Sequence, residues 1–168
     1  MPESQDSLID RISIATGHAA AWLTLAMVLV TVLVVVLRYV FDTGVIWMQE
    51  SLTWMHAAVF MLGAAYTLQD DGHVRVDIFY REMTDRRKAW VNLLGVLIFL
   101  FPLCGFFIYE SFNYVLAAWK IGEVSRDAGG LPFPAIPLLK SILVLMPAAV
   151  ILQGVSMALR SLQTIRGG

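Results

Sequence analysis

The sequence predicts an all-α integral membrane protein: four transmembrane helices with both termini in the cytoplasm. Composition and one pattern carry that expectation. Of 168 residues, 58% are hydrophobic and only 15% charged, and mean hydropathy is +0.72. Soluble domains run nearer half apolar and a quarter charged, so the departure argues against a disordered chain, a nucleic-acid binder or an ordinary cytosolic enzyme. The pattern is four separate stretches free of Asp, Glu, Lys and Arg, each close to the length a helix needs to cross a bilayer. A formal net charge of −1 implies no polyanionic partner. The single cysteine, Cys104, excludes an intrachain disulfide framework and any multi-Cys metal cluster. Its apolar surroundings suit a small buried thiol.

The charge-free stretches run from Ile12 to Leu37, Ser51 to Gln69, Ala89 to Tyr109 and Ser141 to Leu159, of 26, 19, 21 and 19 residues. At about 1.5 Å per residue, roughly 20 helical residues cross the hydrocarbon core. The first stretch ends in a β-branched run, Val28 to Leu37, that would favour a strand in water. In lipid only helices and closed barrels satisfy their backbone, and these runs are too long for barrel strands. The expected architecture is one four-helix membrane domain over residues 1–168, with approximate spans 15–37, 51–69, 89–109 and 139–160. The leader carries Glu3, Asp6 and Asp10 against Arg11, and the small residues Ala19 to Ala21 precede the most hydrophobic stretch. A cleaved signal peptide has a basic leader and small residues after its apolar stretch, so an uncleaved anchor is expected.

Lys and Arg positions set the orientation. Arg11, the loop residues Arg75, Arg81, Arg86, Arg87 and Lys88, and the tail residues Arg160 and Arg166 lie on one side. Arg38, Lys120, Arg126 and Lys140 lie on the other. The positive-inside bias places the termini and the 70–88 loop in the cytoplasm, with the 38–50 and 110–140 connections outside.

Within the spans, Gly17 with Ala21 and Gly154 with Ala158 form small-xxx-small pairs that permit close helix approach. Pro102 and Pro147 each remove a backbone donor and predict kinks. No acidic or basic residue lies in the charge-free stretches, and only His18 and His56 could titrate there. A self-sufficient ion-coupled carrier usually needs an ionisable group or broken helix near mid-membrane, so that class is disfavoured. A bis-His haem needs two imidazoles at one depth on facing helices; His18 and His56 are about 20 Å apart along the membrane normal in this topology. No cofactor and no metal are expected.

The connections carry the remaining polar chemistry. In Gly72 to Asp77, His73, Arg75 and Asp77 alternate with Val74 and Val76, which suits a segment at the membrane surface. It is either a solvated loop facing lipid headgroups or an ordered partner-binding loop. It lacks the spacing of an EF-hand. At the outer connection between the first two spans, Trp47, Glu50 and Trp54 are placed to share a helix face, and Arg38 ends the first span at the same level. The aromatic residues fit an interfacial belt, and Arg38 with Glu50 is expected to pair. The Gly/Pro-rich connection Glu123 to Pro134 presents Leu131 and Phe133, either dipping into lipid or covering a partner. No nucleophile–base pair, phosphate loop or carboxylate dyad appears, so an enzyme is not expected.

At these residues the chain resembles the small membrane subunit, the DctQ-type family, of tripartite ATP-independent periplasmic (TRAP) transporters. The matching pattern is Arg38-Tyr39-x-Phe41, Trp47-x-x-Glu50, Gly63-Ala64, Gly72 to Asp77, and Leu131-Pro132 through Gln153-Gly154. Many members carry a second acid where this chain has Gln49 and an arginine where it has Thr53. The resemblance implies a scaffold role beside a large multi-span permease subunit that holds the solute and sodium sites. It further implies a periplasmic binding protein that delivers an organic acid or related solute, an inner-membrane location, contacts with membrane lipids and no nucleic acid. Arg38, Trp47, Glu50, Trp54, His73, Arg75 and Asp77 are then the candidate interface or structural residues. A membrane anchor for a redox complex and an autonomous small transporter stand as alternatives.

Overall fold

The computed structural model describes residues 8–69, 80 and 82–167. Among them are four long helices and no strand: α1 (Leu8–Tyr39), α2 (Ile46–Gln69), α3 (Asp85–Ile121) and α4 (Ala135–Gly167). Each contains most or all of one charge-free stretch and continues past it. The segment Ile14–Tyr39, α3 and α4 are long and apolar enough to cross a membrane. At 24 residues α2 has the length but lies outside that set; Gln49, Glu50 and His56 lower its hydropathy.

The largest difference from the sequence reading is in α3. The expected span stops at Tyr109, where Glu110 ends the charge-free run, yet the helix continues to Ile121. Helix-compatible residues such as Leu116, Ala117 and Ala118 carry it on. It ends at Gly122, whose φ of 61° is left-handed, with the Glu123 N–H returning 3.0 Å to the Ala118 carbonyl. A glycine tolerates that conformation without a Cβ clash.

Pro102 produces a local change of winding. Val96–Leu100, ending two residues before it, is a π turn. The wider turn accommodates a residue that lacks an N–H and whose ring would strike the preceding turn. Pro147 is buried within α4, which remains one helix from Ala135 to Gly167.

α2 and α4 occupy the middle of the arrangement; α1 packs chiefly on α2, and α3 on α4. The enclosed residues are mostly modest in size, including Ala58, Ala89, Cys104, Ala118 and Val150. Small residues let helix backbones approach where lipid offers no hydrophobic drive for association. Gly17 lies so close to Tyr66 that a Cβ there would meet the ring at 2.5 Å, and one on Gly154 would meet Leu100 Cδ2 at 2.9 Å. Larger apolar side chains face outward: Trp22, Leu29, Phe60, Phe99, Phe106 and Leu145 are all exposed. Hydroxyls on these helices bond back to their own backbone, as in Thr31 Oγ1 to the Met27 carbonyl at 2.7 Å and Thr67 Oγ1 to the Gly63 carbonyl at 3.0 Å. That pattern leaves these hydroxyls satisfied in lipid.

Candidate functional site

Among the described residues, the densest polar construction lies where the start of α2 meets the loop between α3 and α4. Glu50 stands just ahead of the 51–69 span. Its Oε1 accepts from the Ser125 hydroxyl, and its Oε2 accepts the Leu131 N–H at 2.6 Å. The loop supplies its own internal bonds: the Asp127 N–H to Ser125 Oγ at 3.1 Å, Gly130 N–H to the Asp127 carbonyl at 3.0 Å, and Ser125 N–H to the Leu131 carbonyl at 3.3 Å. A side chain at Gly130 would collide with Ser125 and approach Glu50 Oε1 to 2.8 Å. The loop therefore closes over the carboxylate only because that position is glycine. The Ser125 hydroxyl and then the Leu131 amide favour the charged form, holding the Glu50 carboxyl below its ordinary value of 4.5.

Three further clips draw α2, α3 and α4 together around the same loop. One turn beyond Glu50, Trp54 Nε1–H donates to the Ala135 carbonyl at 3.2 Å. Lys140 Nζ lies 2.6 Å from Glu123 Oε2 and 4.0 Å from the centre of the Tyr114 ring. Trp119 Nε1–H donates to Ser141 Oγ at 2.9 Å, and Phe133 packs edge-on against the same indole at 6.0 Å. Leu131 and Phe133 thus belong to a folded cap, which encloses an apolar cleft of about 360 Å³ with Trp54 and Met55.

These contacts overturn the expected Arg38–Glu50 pair. Arg38 is exposed in the last turn of α1 and makes no ion pair with Glu50, whose carboxylate oxygens are taken by Ser125 and Leu131. A cation needs no partner at a helix C-terminus, where the dipole already favours it. Of the three residues expected on one face, Glu50 and Trp54 meet the loop and α4, whereas Trp47 is 52% exposed. His73, Arg75 and Asp77 lie outside the described residues. His56 is exposed and stacks on Phe60 at 5.4 Å. Among the described residues no three His, Cys, Asp or Glu side chains gather to hold a metal.

Ser125, Leu131, Trp119, Lys140 and Ser141 were not singled out by the sequence pattern for these contacts. The available signal was local: Ser125-x-Asp127 followed by Gly129-Gly130 is turn chemistry that calls for an acceptor or donor nearby. At the opposite end of the bundle, Asn92 Nδ2 donates to the Tyr80 hydroxyl at 3.0 Å, and Lys88 Nζ sits 5.7 Å from the Tyr80 ring centre.

Apolar helices with outward-facing large side chains and a tightly stapled loop define a helical membrane protein. The chain belongs to the family described as tripartite ATP-independent periplasmic transporters, DctQ component, which matches residues 27–165. This is a transporter-component family, not an enzyme family, and its members form a tripartite complex with a large permease and a periplasmic binding protein. No curated protein and no solved structure matches the chain.

Proposed function

We propose that the chain is the static small subunit of its transporter, a scaffold for the large permease during sodium-coupled uptake of an organic acid or related solute. The observation that carries this reading is the pairing of uncharged spans with open apolar edges. The four spanning stretches contain no Asp, Glu, Lys or Arg, while α1 and α3 present Trp22, Leu29, Phe99 and Phe106 outward. Binding an organic acid or a coupling ion normally requires a charged or broken-helix site near mid-membrane. Extended apolar helix faces suit packing against a larger membrane subunit.

In this reading all four helices cross the inner membrane as one domain, with both termini in the cytoplasm and the Glu50 cap toward the periplasm. Arg38, Trp47, Glu50 and Trp54 lie at the periplasmic level, and His73, Arg75 and Asp77 at the cytoplasmic one; all seven serve structure or subunit contact. Reconstitution tests the role. The chain alone in liposomes gives no sodium-dependent uptake, and uptake appears when the large subunit and binding protein are added. A His56 variant with normal assembly but altered sodium dependence would place this subunit in the permeation path and overturn the reading.

A further inference from the structure

We infer that the cleft between the first turns of α3 and the last turns of α4 is a binding site for the phosphodiester headgroup of an anionic membrane phospholipid. The cleft has a volume of about 360 Å³, and Lys88, Asn92, Arg160 and Ser161 lie on its wall. Its placement is set by the sequence. Lys88 immediately precedes the Ala89–Tyr109 charge-free stretch, and Arg160 immediately follows Ser141–Leu159. Two cations from antiparallel helices therefore mark one membrane boundary, the depth at which headgroup phosphates sit. Leu68, Ala89 and Met157 give the same cleft an apolar floor continuous with the lipid-facing helices.

Ser161 supplies an independent observation. It is 6% exposed and lines the cleft, and among the described residues its hydroxyl has no hydrogen-bond partner. A buried hydroxyl without a partner costs stability unless something else satisfies it. A phosphate oxygen between Lys88 and Arg160 is an acceptor of the right kind. Thr84, the residue that caps α3, makes no side-chain bond to the helix, so the first-turn N–H groups beside the cleft add positive potential. Asp85 also borders the cleft. Arg160 already has a polar partner, and beside it Lys88 and the apolar floor suit a phosphodiester carrying acyl chains better than the free inorganic ion.

The test uses the complex with the large subunit, purified in mild detergent, and counts retained phosphatidylglycerol by mass spectrometry. The wild-type complex keeps the lipid through washing. The Lys88→Gln/Arg160→Gln double variant loses it by roughly tenfold or more, as expected for two surface cations. Ser161→Ala loses it by a few-fold, while its melting midpoint without lipid is unchanged or raised, because the hydroxyl removed there has no partner among the described residues to lose. Added phosphatidylglycerol raises the midpoint of the wild-type complex, and equimolar inorganic phosphate or phosphatidylcholine does not. Equal retention by wild type and both variants overturns the assignment, as does equal protection by phosphate or phosphatidylcholine. Occupation of the cleft by the large subunit, seen as a Lys88 or Arg160 cross-link to that subunit with no retained lipid, overturns it too.

Discussion

Leu131 donates its backbone N–H to Glu50 Oε2 at 2.6 Å, across 81 residues of sequence. Ser125 occupies the other carboxylate oxygen, so one side chain at the start of α2 organises the loop that delivers the chain into α4. Removing the carboxylate leaves a hydroxyl and an amide without their acceptor. Glu50→Ala therefore speeds amide exchange at Leu131 by on the order of tenfold or more, the expected effect of losing one charge-assisted acceptor. Glu50→Gln keeps a single acceptor oxygen and gives an intermediate value. Exchange unchanged in both variants would show that the loop holds its shape without α2.

The same contact fixes a pH dependence. Hydrogen bonds from Ser125 and then Leu131 hold the Glu50 carboxyl below its ordinary 4.5. A carboxylate with a lowered folded-state pKa adds stability that is complete above the unfolded value and is lost as pH falls through the folded one. Protection of Leu131 should accordingly stay level from neutral pH to about 5 and decline only at more acidic pH. The Glu50→Gln protein should show no such decline.

The two glycine contacts differ in how far their neighbours can give. A Cβ at Gly17 meets Tyr66 at Cγ, Cδ1 and Cδ2, close to where the ring is anchored. At Gly154 it meets Leu100 Cδ2, the tip of a flexible side chain, and then Phe101 Cε1 at 3.1 Å. Gly17→Ala should cost about 1–3 kcal/mol by overpacking, and Gly154→Ala less. Adding Tyr66→Ala to Gly17→Ala should recover part of the loss, so that the pair is non-additive in a thermal-denaturation cycle. Simple addition would mean that the helices separate rather than repack.

Topology is checked by thiol labelling in intact cells. Ala128 is exposed in the stapled loop, and a cysteine there should react with an impermeant reagent in a Cys104→Ala background. A cysteine at Asp71 should react only after the membrane is opened. The reverse pattern would invert the assignment of the Glu50 cap to the periplasm.

The helices were legible in the sequence because lipid imposes a simple rule. Runs without Asp, Glu, Lys or Arg mark where a chain can lose water, and α1, α3 and α4 each enclose most or all of one. The ends were less legible. Glu110 stops a count of uncharged residues but does not stop a helix, which runs on to the glycine at 122. Gly17 and Gly154 were readable as close-approach positions, although their contacts are the side chains of Tyr66, Leu100 and Phe101. At the cap, Arg38 was the nearest opposite charge to Glu50 along the chain, and proximity suggested a pair. The actual partners are a hydroxyl and a backbone amide 75 and 81 residues away. Periodicity cannot reveal such partners, since neither belongs to a repeating face.

The π turn at Val96–Leu100 has a consequence for how this gene can change length. One residue deleted from a regular α-helix rotates everything beyond it by about 100°. In the regular winding between Ala89 and Ala118 a deletion would turn one flank of the helix out of register with α4, against which it packs. Within the wide turn the chain already holds a surplus residue, so a single-codon deletion there converts π to α winding and leaves both flanks facing as before. Pro102 would then press on an ordinary turn, and the shortened protein should assemble with lower thermal stability. Natural and laboratory indels in this helix should therefore concentrate in those five positions.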